Sequence, residues 1–132
     1  MPELPEVEVC RLGITPHIAG QKVADVVVRN AKLRWPIPDE VHSVVGKTLE
    51  KIERRSKYLL LRFSNGTLLL HLGMSGSVRI LEQDTPDIKH DHFEMLFENG
   101  KMLRLNDPRR FGAVLWFPQH QDLQGLLTKL GP

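Results

Sequence analysis

Apolar positions recur along the chain with two different periods. Between residues 5 and 19, Val7, Cys10, Ile14 and Ile18 fall at helical spacing, and Pro16 and Gly20 mark the end of that segment. Residues 22–30 are valine-rich and alternate through Ala24, Val26 and Val28, which predicts a strand. Pro36-Ile37-Pro38 breaks the pattern, and residues 39–45 predict a short helix. Strand-like runs follow at residues 48–54, 58–63, 67–72, 77–81, 93–97, 102–105 and 113–117. Ser64-Asn65-Gly66 and Glu98-Asn99-Gly100 carry the Asn-Gly signal of tight hairpins. Residues 122–130 predict a last short helix. The pattern therefore predicts a mainly β protein. Its form is a two-layer antiparallel β-sandwich, or flattened barrel, flanked by helices near the N- and C-terminal ends.

Length and composition narrow this picture. A chain of 132 residues, 41% of them hydrophobic, suits one domain with a real core. No apolar run is long enough to span a membrane and no signal peptide precedes the first helix, so a soluble cytoplasmic monomer is expected. The single cysteine, Cys10, excludes an internal disulfide and lies in an apolar helical pattern that predicts buried packing. A formal net charge of +2 does not by itself point to nucleic acid. Its distribution does. Lys51, Arg54, Arg55, Lys57 and Arg62 face only Glu53 within residues 51–62, and Lys101, Arg104, Arg109 and Arg110 face only Asp107 within 99–112. Two basic segments in a near-neutral chain predict one positive face, although solvated strand edges have the same composition.

Candidate chemistry begins at Met1-Pro2-Glu3-Leu4-Pro5-Glu6. Removal of Met1 leaves a secondary amine on Pro2. An α-amino group has a pKa of ~7.7–8.0, so it is partly uncharged and nucleophilic near neutral pH. Attack on a sugar aldehyde carbon gives an iminium, an electron sink that acidifies the neighbouring C–H, and the carboxyls of Glu3 and Glu6 stand ready to move protons. Proline and glutamate in a first helical turn also have a purely structural explanation.

Three further segments stand out. Lys57 lies at the mouth of an apolar strand, where it can enter a cleft or sit at a solvated edge. Gly73-Met74-Ser75-Gly76 places a methionine at a glycine-bounded turn; it either folds back onto the core or parts a base stack. Asn106-Asp107-Pro108-Arg109-Arg110-Phe111-Gly112 offers two guanidiniums and a phenyl ring, a combination suited to phosphate pairing and base stacking. His71, and His90 and His92 flanking Asp91, read as phosphate hydrogen-bonders or a structural His–Asp pair rather than as metal ligands.

Taken together, Pro2-Glu3-Leu4-Pro5-Glu6-Val7-Glu8, Arg55-Ser56-Lys57-Tyr58-Leu59-Leu60, His71-Leu72-Gly73-Met74-Ser75-Gly76 and Asp107-Pro108-Arg109-Arg110-Phe111-Gly112 resemble bacterial formamidopyrimidine-DNA glycosylase, in register from end to end. The resemblance implies excision of 8-oxoguanine and formamidopyrimidines from damaged double-stranded DNA, followed by β,δ-elimination. By position it makes Pro2 the nucleophile, Glu3 the main acid/base and Glu6 its support. Lys57, counted with these in the catalytic set, and His71 would meet phosphates near the lesion, with His90 and Arg110 also in the DNA-binding set. Met74, Arg109 and Phe111 would fill the gap left by the extruded base. The chain ends before the family's helix–two-turn–helix region and four-cysteine zinc finger, so no cofactor is expected within it, and a catalytic part weak on its own is implied. An endonuclease VIII-like enzyme for oxidised pyrimidines, which Leu4 argues against, and a non-catalytic DNA-binding module are the alternatives.

Overall fold

A computed structural model describes residues 4–30, 33, 36–73, 76–110, 112–119 and 125, with only the backbone of residues 4 and 5. Among the described residues, eight strands form two separate antiparallel sheets. They are β1 (Val23–Val28), β2 (Lys51–Arg55), β3 (Tyr58–Phe63), β4 (Gly66–His71), β5 (Ser77–Glu82), β6 (Asp91–Phe97), β7 (Lys101–Asn106) and β8 (Ala113–Pro118). The first sheet runs β1-β6-β7-β5 and the second β2-β3-β4-β8. The sandwich is open rather than a closed barrel. Both Asn-Gly hairpins form where expected, joining β3 to β4 and β6 to β7.

Period-2 patterning, interrupted in β1 by a register shift between Val23 and Asp25, puts Val23, Val26, Phe93, Met95, Leu103 and Leu105 of one sheet against Ile52, Leu59, Leu61, Leu68, Leu70 and Val114 of the other, in one continuous core. A second cluster, Tyr58, Leu60 and Leu69 with Leu115 and Phe117, occupies alternate positions on the second sheet. This explains why β3 and β4 are apolar throughout. The open edges are filled by helices: α1 (Leu4–Ile18) packs on edge strands β2 and β5, and a 3-10 turn (Asp39–Val44) packs on edge strands β1 and β8. Val7, Ile14 and Ile18 bury the inner stripe of α1. Cys10 is half-buried against the same core, and burial pushes its thiol up. Gly20, with φ +82, ends the helix in the left-handed conformation that glycine adopts most cheaply. The expected helix at 122–130 lies outside the described residues except for Gly125, which is helical.

The structure corrects one reading of charge. Arg104 belongs to the second basic segment yet is only 1% exposed. Its Nε donates to Glu94 Oε2 at 2.6 Å and lies 3.6 Å from Asp91 Oδ2, while its Nη atoms donate to the carbonyls of Thr85 and Pro86. Arg29 holds the other Glu94 oxygen at 2.9 Å. Burial disfavours the Asp91 charge, but donors from Ile88, Asn106, Arg104 and Arg79 outweigh it and hold the carboxyl below its usual range. Removing one partner of a buried pair costs about 3–5 kcal/mol. Glu94→Ala is therefore expected to lower the unfolding free energy by that order in urea titration, and a loss under about 1 kcal/mol would contradict this account of the network.

Candidate nucleic-acid interface

Three loops emerge at one end of the sandwich. Arg55, Tyr58, His71 and Ala113 stand side by side across the four strands of the second sheet. Immediately beyond that row lie the Ser56-Lys57 turn, the start of the 72–76 loop and the end of the 107–112 loop. Lys57 is half-buried, with its Nζ 5.8 Å from the centre of the Tyr58 ring. His71 is buried, its ring tilted against Tyr58 at 5.4 Å. That places it in the floor beneath the loops rather than on an open surface.

The 72–76 loop is pinched at its base. Gly76 N–H donates to the Leu72 carbonyl at 2.9 Å, and a Cβ at Gly76 would overlap that oxygen. The 107–112 loop is organised by Asp107, which is fully buried. Its Oδ1 accepts from Arg110 N–H at 3.1 Å and its Oδ2 from Gly112 N–H at 2.7 Å. Such side-chain acceptance is how aspartate shapes a turn. The result is a tip with Pro108, Arg109 and Arg110 all exposed, Arg110 at φ +58. The two loops touch at their bases: a Cβ at Gly112 would lie 2.5 Å from the His71 carbonyl and 2.8 Å from Asp107 Oδ2.

His90 joins this group. It is half-buried, held at φ +72, and its carbonyl accepts from Asp107 N–H at 3.0 Å. The expected His–Asp pair is corrected in its partners. Asp91 pairs with Arg79 and Arg104, whereas the buried His92 donates from Nε2 to the Asp107 carbonyl at 2.7 Å. Among the described residues, no group of three or more His, Cys, Asp or Glu side chains is placed to hold a metal ion.

Helix α1 points its N-terminal turn toward the same end. Arg11 Nη1 donates to the Ile52 carbonyl at 3.5 Å, and Glu8 Oε1 accepts from Arg54 Nε at 3.1 Å. Moving toward the N-terminus, the helix thus advances along β2 toward Ser56-Lys57, and Glu6 is exposed on its first turn. Pro2, Glu3, Met74 and Phe111 lie outside the described residues. What the structure brings together are Glu6, Lys57, His71, His90, Arg109 and Arg110.

Several cations counted toward a positive face are engaged within the fold. Arg54 pairs with Glu8, Arg62 and Lys51 with Glu53, and Lys101 with Glu82. Arg55, Lys57, Arg109 and Arg110 lie at the loop end. A polar cleft of about 250 Å³ between Lys51, Arg62, Thr67, Phe117 and Gln119 opens at the opposite end of the second sheet and shares none of these groups.

A family profile described as the formamidopyrimidine-DNA glycosylase N-terminal domain matches residues 1–114. The chain belongs to the formamidopyrimidine-DNA glycosylase family. The enzyme of that name from Colwellia psychrerythraea is 70% identical over all 132 residues, which make up 49% of its own length. That of Shewanella denitrificans is 55% identical over the same span. The chain thus covers about half the length of the curated relatives it matches. Among solved structures, Lactococcus lactis Fpg in complex with abasic-site DNA superimposes with a TM-score of 0.87 at 32% identity, over 97% of this chain and 48% of that one. MutM in complex with DNA containing carbocyclic 8-oxo-G gives the same score and identity. The family sandwich implied by the four motifs is therefore the fold observed.

Sequence reasoning singled out most groups at this end, but it missed Arg54 as an internal tie, His92 as a loop support and Asp107 as more than a turn former. The only signal for Asp107 was its place before Pro108 in a loop that also needed its N–H groups satisfied.

Proposed function

We propose that this chain is the catalytic portion of a bifunctional DNA glycosylase/AP lyase of base-excision repair, acting on oxidised purines such as 8-oxoguanine and formamidopyrimidines in double-stranded DNA. The observation that carries the proposal is the convergence, at one end of the sandwich, of the chain's first helical turn, the Lys57 turn and the two glycine-bounded loops. In this reading the processed Pro2 nitrogen attacks C1′ of the extruded nucleotide. The N–C1′ bond forms as the bond to the base breaks, and Glu3 supplies the proton the departing base takes up. The attached nitrogen then loses its proton and its lone pair expels O4′ from C1′, O4′ taking up a proton, so that the opened sugar carries an iminium; this acidifies the C2′–H, loss of that proton expels the 3′ phosphate, and a second elimination expels the 5′ phosphate. Glu6 supports Glu3. Lys57, His90 and Arg110 hold the phosphates of the strand, and the buried His71, packed on Tyr58, supports the floor beneath them. Met74 and Phe111 refill the vacated stack, and Arg109 faces the base left unpaired, which offsets the few kcal/mol that extrusion costs.

The test joins this chain to the remaining half of the Colwellia relative and compares duplexes carrying 8-oxoguanine, thymine glycol or no lesion. Preferential cleavage at 8-oxoguanine supports the proposal. Preference for thymine glycol would move the protein to the endonuclease VIII-like class, and binding without cleavage would leave a DNA-binding module. The chain alone is expected to fold and to bind an abasic duplex weakly. With few phosphate contacts its log K–log[salt] slope is shallow, each contact contributing about 0.9. Fluorescence anisotropy across salt concentrations checks this, and a slope equal to that of the joined protein would contradict it.

A further inference from the structure

The Ser56-Lys57 turn is held by a device that the DNA reading leaves unused. It is a two-residue hairpin loop, since Arg55 pairs with Tyr58. Such loops need a positive φ at their first residue and favour Gly, Asn or Asp there. Here that residue is Ser56, at φ +56. A serine in this region persists only where its surroundings enforce it, and such strain clusters at functional positions. The enforcing group is Arg54. Its Nη1 donates to the Ser56 carbonyl at 3.0 Å, while its Nε donates to Glu8 Oε1 at 3.1 Å. Glu8 is itself fixed by Arg11, which holds both of its oxygens, at 2.9 and 2.6 Å. Arg11, first, and then Arg54 bring the Glu8 carboxyl down to about 2, so it stays ionised across the working pH range.

One guanidinium therefore links the helix that carries the chain start to the carbonyl immediately before Lys57. We infer that Arg54 is a positioning residue: it locks the strained Ser56 turn to helix α1 through Glu8 and so fixes the Lys57 ammonium for the DNA phosphate. The inference rests on the proposed role of Lys57. The fork is essential, because a lysine ammonium at position 54 is a point charge that can keep Glu8 but cannot also reach Ser56 in fixed geometry.

The experiment measures binding of this chain to an abasic duplex by anisotropy over a salt series, with thermal melts to verify folding. Lys57→Ala should make the salt slope shallower by about 0.9, the loss of one phosphate contact. Arg54→Lys keeps the net charge, yet should shift the slope in the same direction, and adding Lys57→Ala to it should produce little further change. Ser56→Gly, which adopts the turn without enforcement, should restore the slope of Arg54→Lys toward that of the parent. Arg54→Gln reads the same loss if the lysine variant does not fold. An Arg54→Lys protein with the parent slope, or one that Ser56→Gly fails to restore, overturns the positioning role. A Lys57→Ala protein with the parent slope overturns the phosphate role of Lys57 itself, and the inference with it.

Discussion

Glu3→Gln is expected to abolish base removal while leaving DNA binding largely intact. The amide preserves the shape and most hydrogen-bonding capacity of the side chain but cannot deliver a proton to a departing base. General acid–base catalysis contributes typically about 10²–10⁴-fold, so single-turnover excision of 8-oxoguanine should fall by at least two orders of magnitude in the joined protein. Binding should change little, because the proposal assigns the phosphates to cations on other elements: Lys57 in the β2–β3 turn and Arg110 on the 107–112 loop. Excision near the parental rate in Glu3→Gln would reassign the acid/base, with Glu6, exposed on the first turn of α1, the next group in line.

The second large effect concerns the amine. A retained Met1 converts the Pro2 nitrogen into an amide, which has no basic lone pair for attack on C1′. No covalent intermediate can then form at that position, whatever else binds. Pro2→Gly keeps a terminal amine but gives up the ring that fixes its approach, and a primary amine forms an imine that can lose its charge. The expected order of covalent capture is therefore processed parent, then processed Pro2→Gly at a sharply lower level, then Met1-bearing protein at none.

Much of the fold was legible in the sequence because each strand announced itself locally. Val23–Val28 is valine-rich, although a register shift between Val23 and Asp25 breaks the expected alternation, burying Val23 and Val26 and leaving Ala24 exposed; Tyr58–Phe63 and Gly66–His71 are apolar runs joined by Asn-Gly, and Lys101–Asn106 follows a second Asn-Gly. The four motifs were legible for the same reason: each is a short contiguous run. What escaped was pairing between segments. Arg104 and Glu94 are ten residues apart and meet only because the β6–β7 register sets them opposite one another. Arg54 and Glu8 are separated by 46 positions and meet because α1 fills the edge beside β2. Counting charges along the chain treated all three cations of Arg54, Arg62 and Arg104 as surface available to DNA, whereas burial and acid partners had already engaged them. The role of Asp107 was hidden likewise, since its partners are the N–H groups of its own loop and the ring of His92 on another strand. The histidine pattern around Asp91 misled because adjacent residues on a strand point to opposite faces, so neighbours in sequence are not neighbours in space.

The most direct test of the central claim, that the chain's N-terminal amine performs the chemistry, is borohydride trapping on an 8-oxoguanine duplex. The protein is the chain joined to the remaining half of the Colwellia relative, prepared in processed and Met1-bearing forms whose N-termini are verified by mass spectrometry. The account predicts a covalent protein–DNA adduct, mapped to Pro2, from the processed form and none from the Met1-bearing form. Equal trapping by the two forms, or an adduct mapped to a lysine such as Lys57, would contradict it.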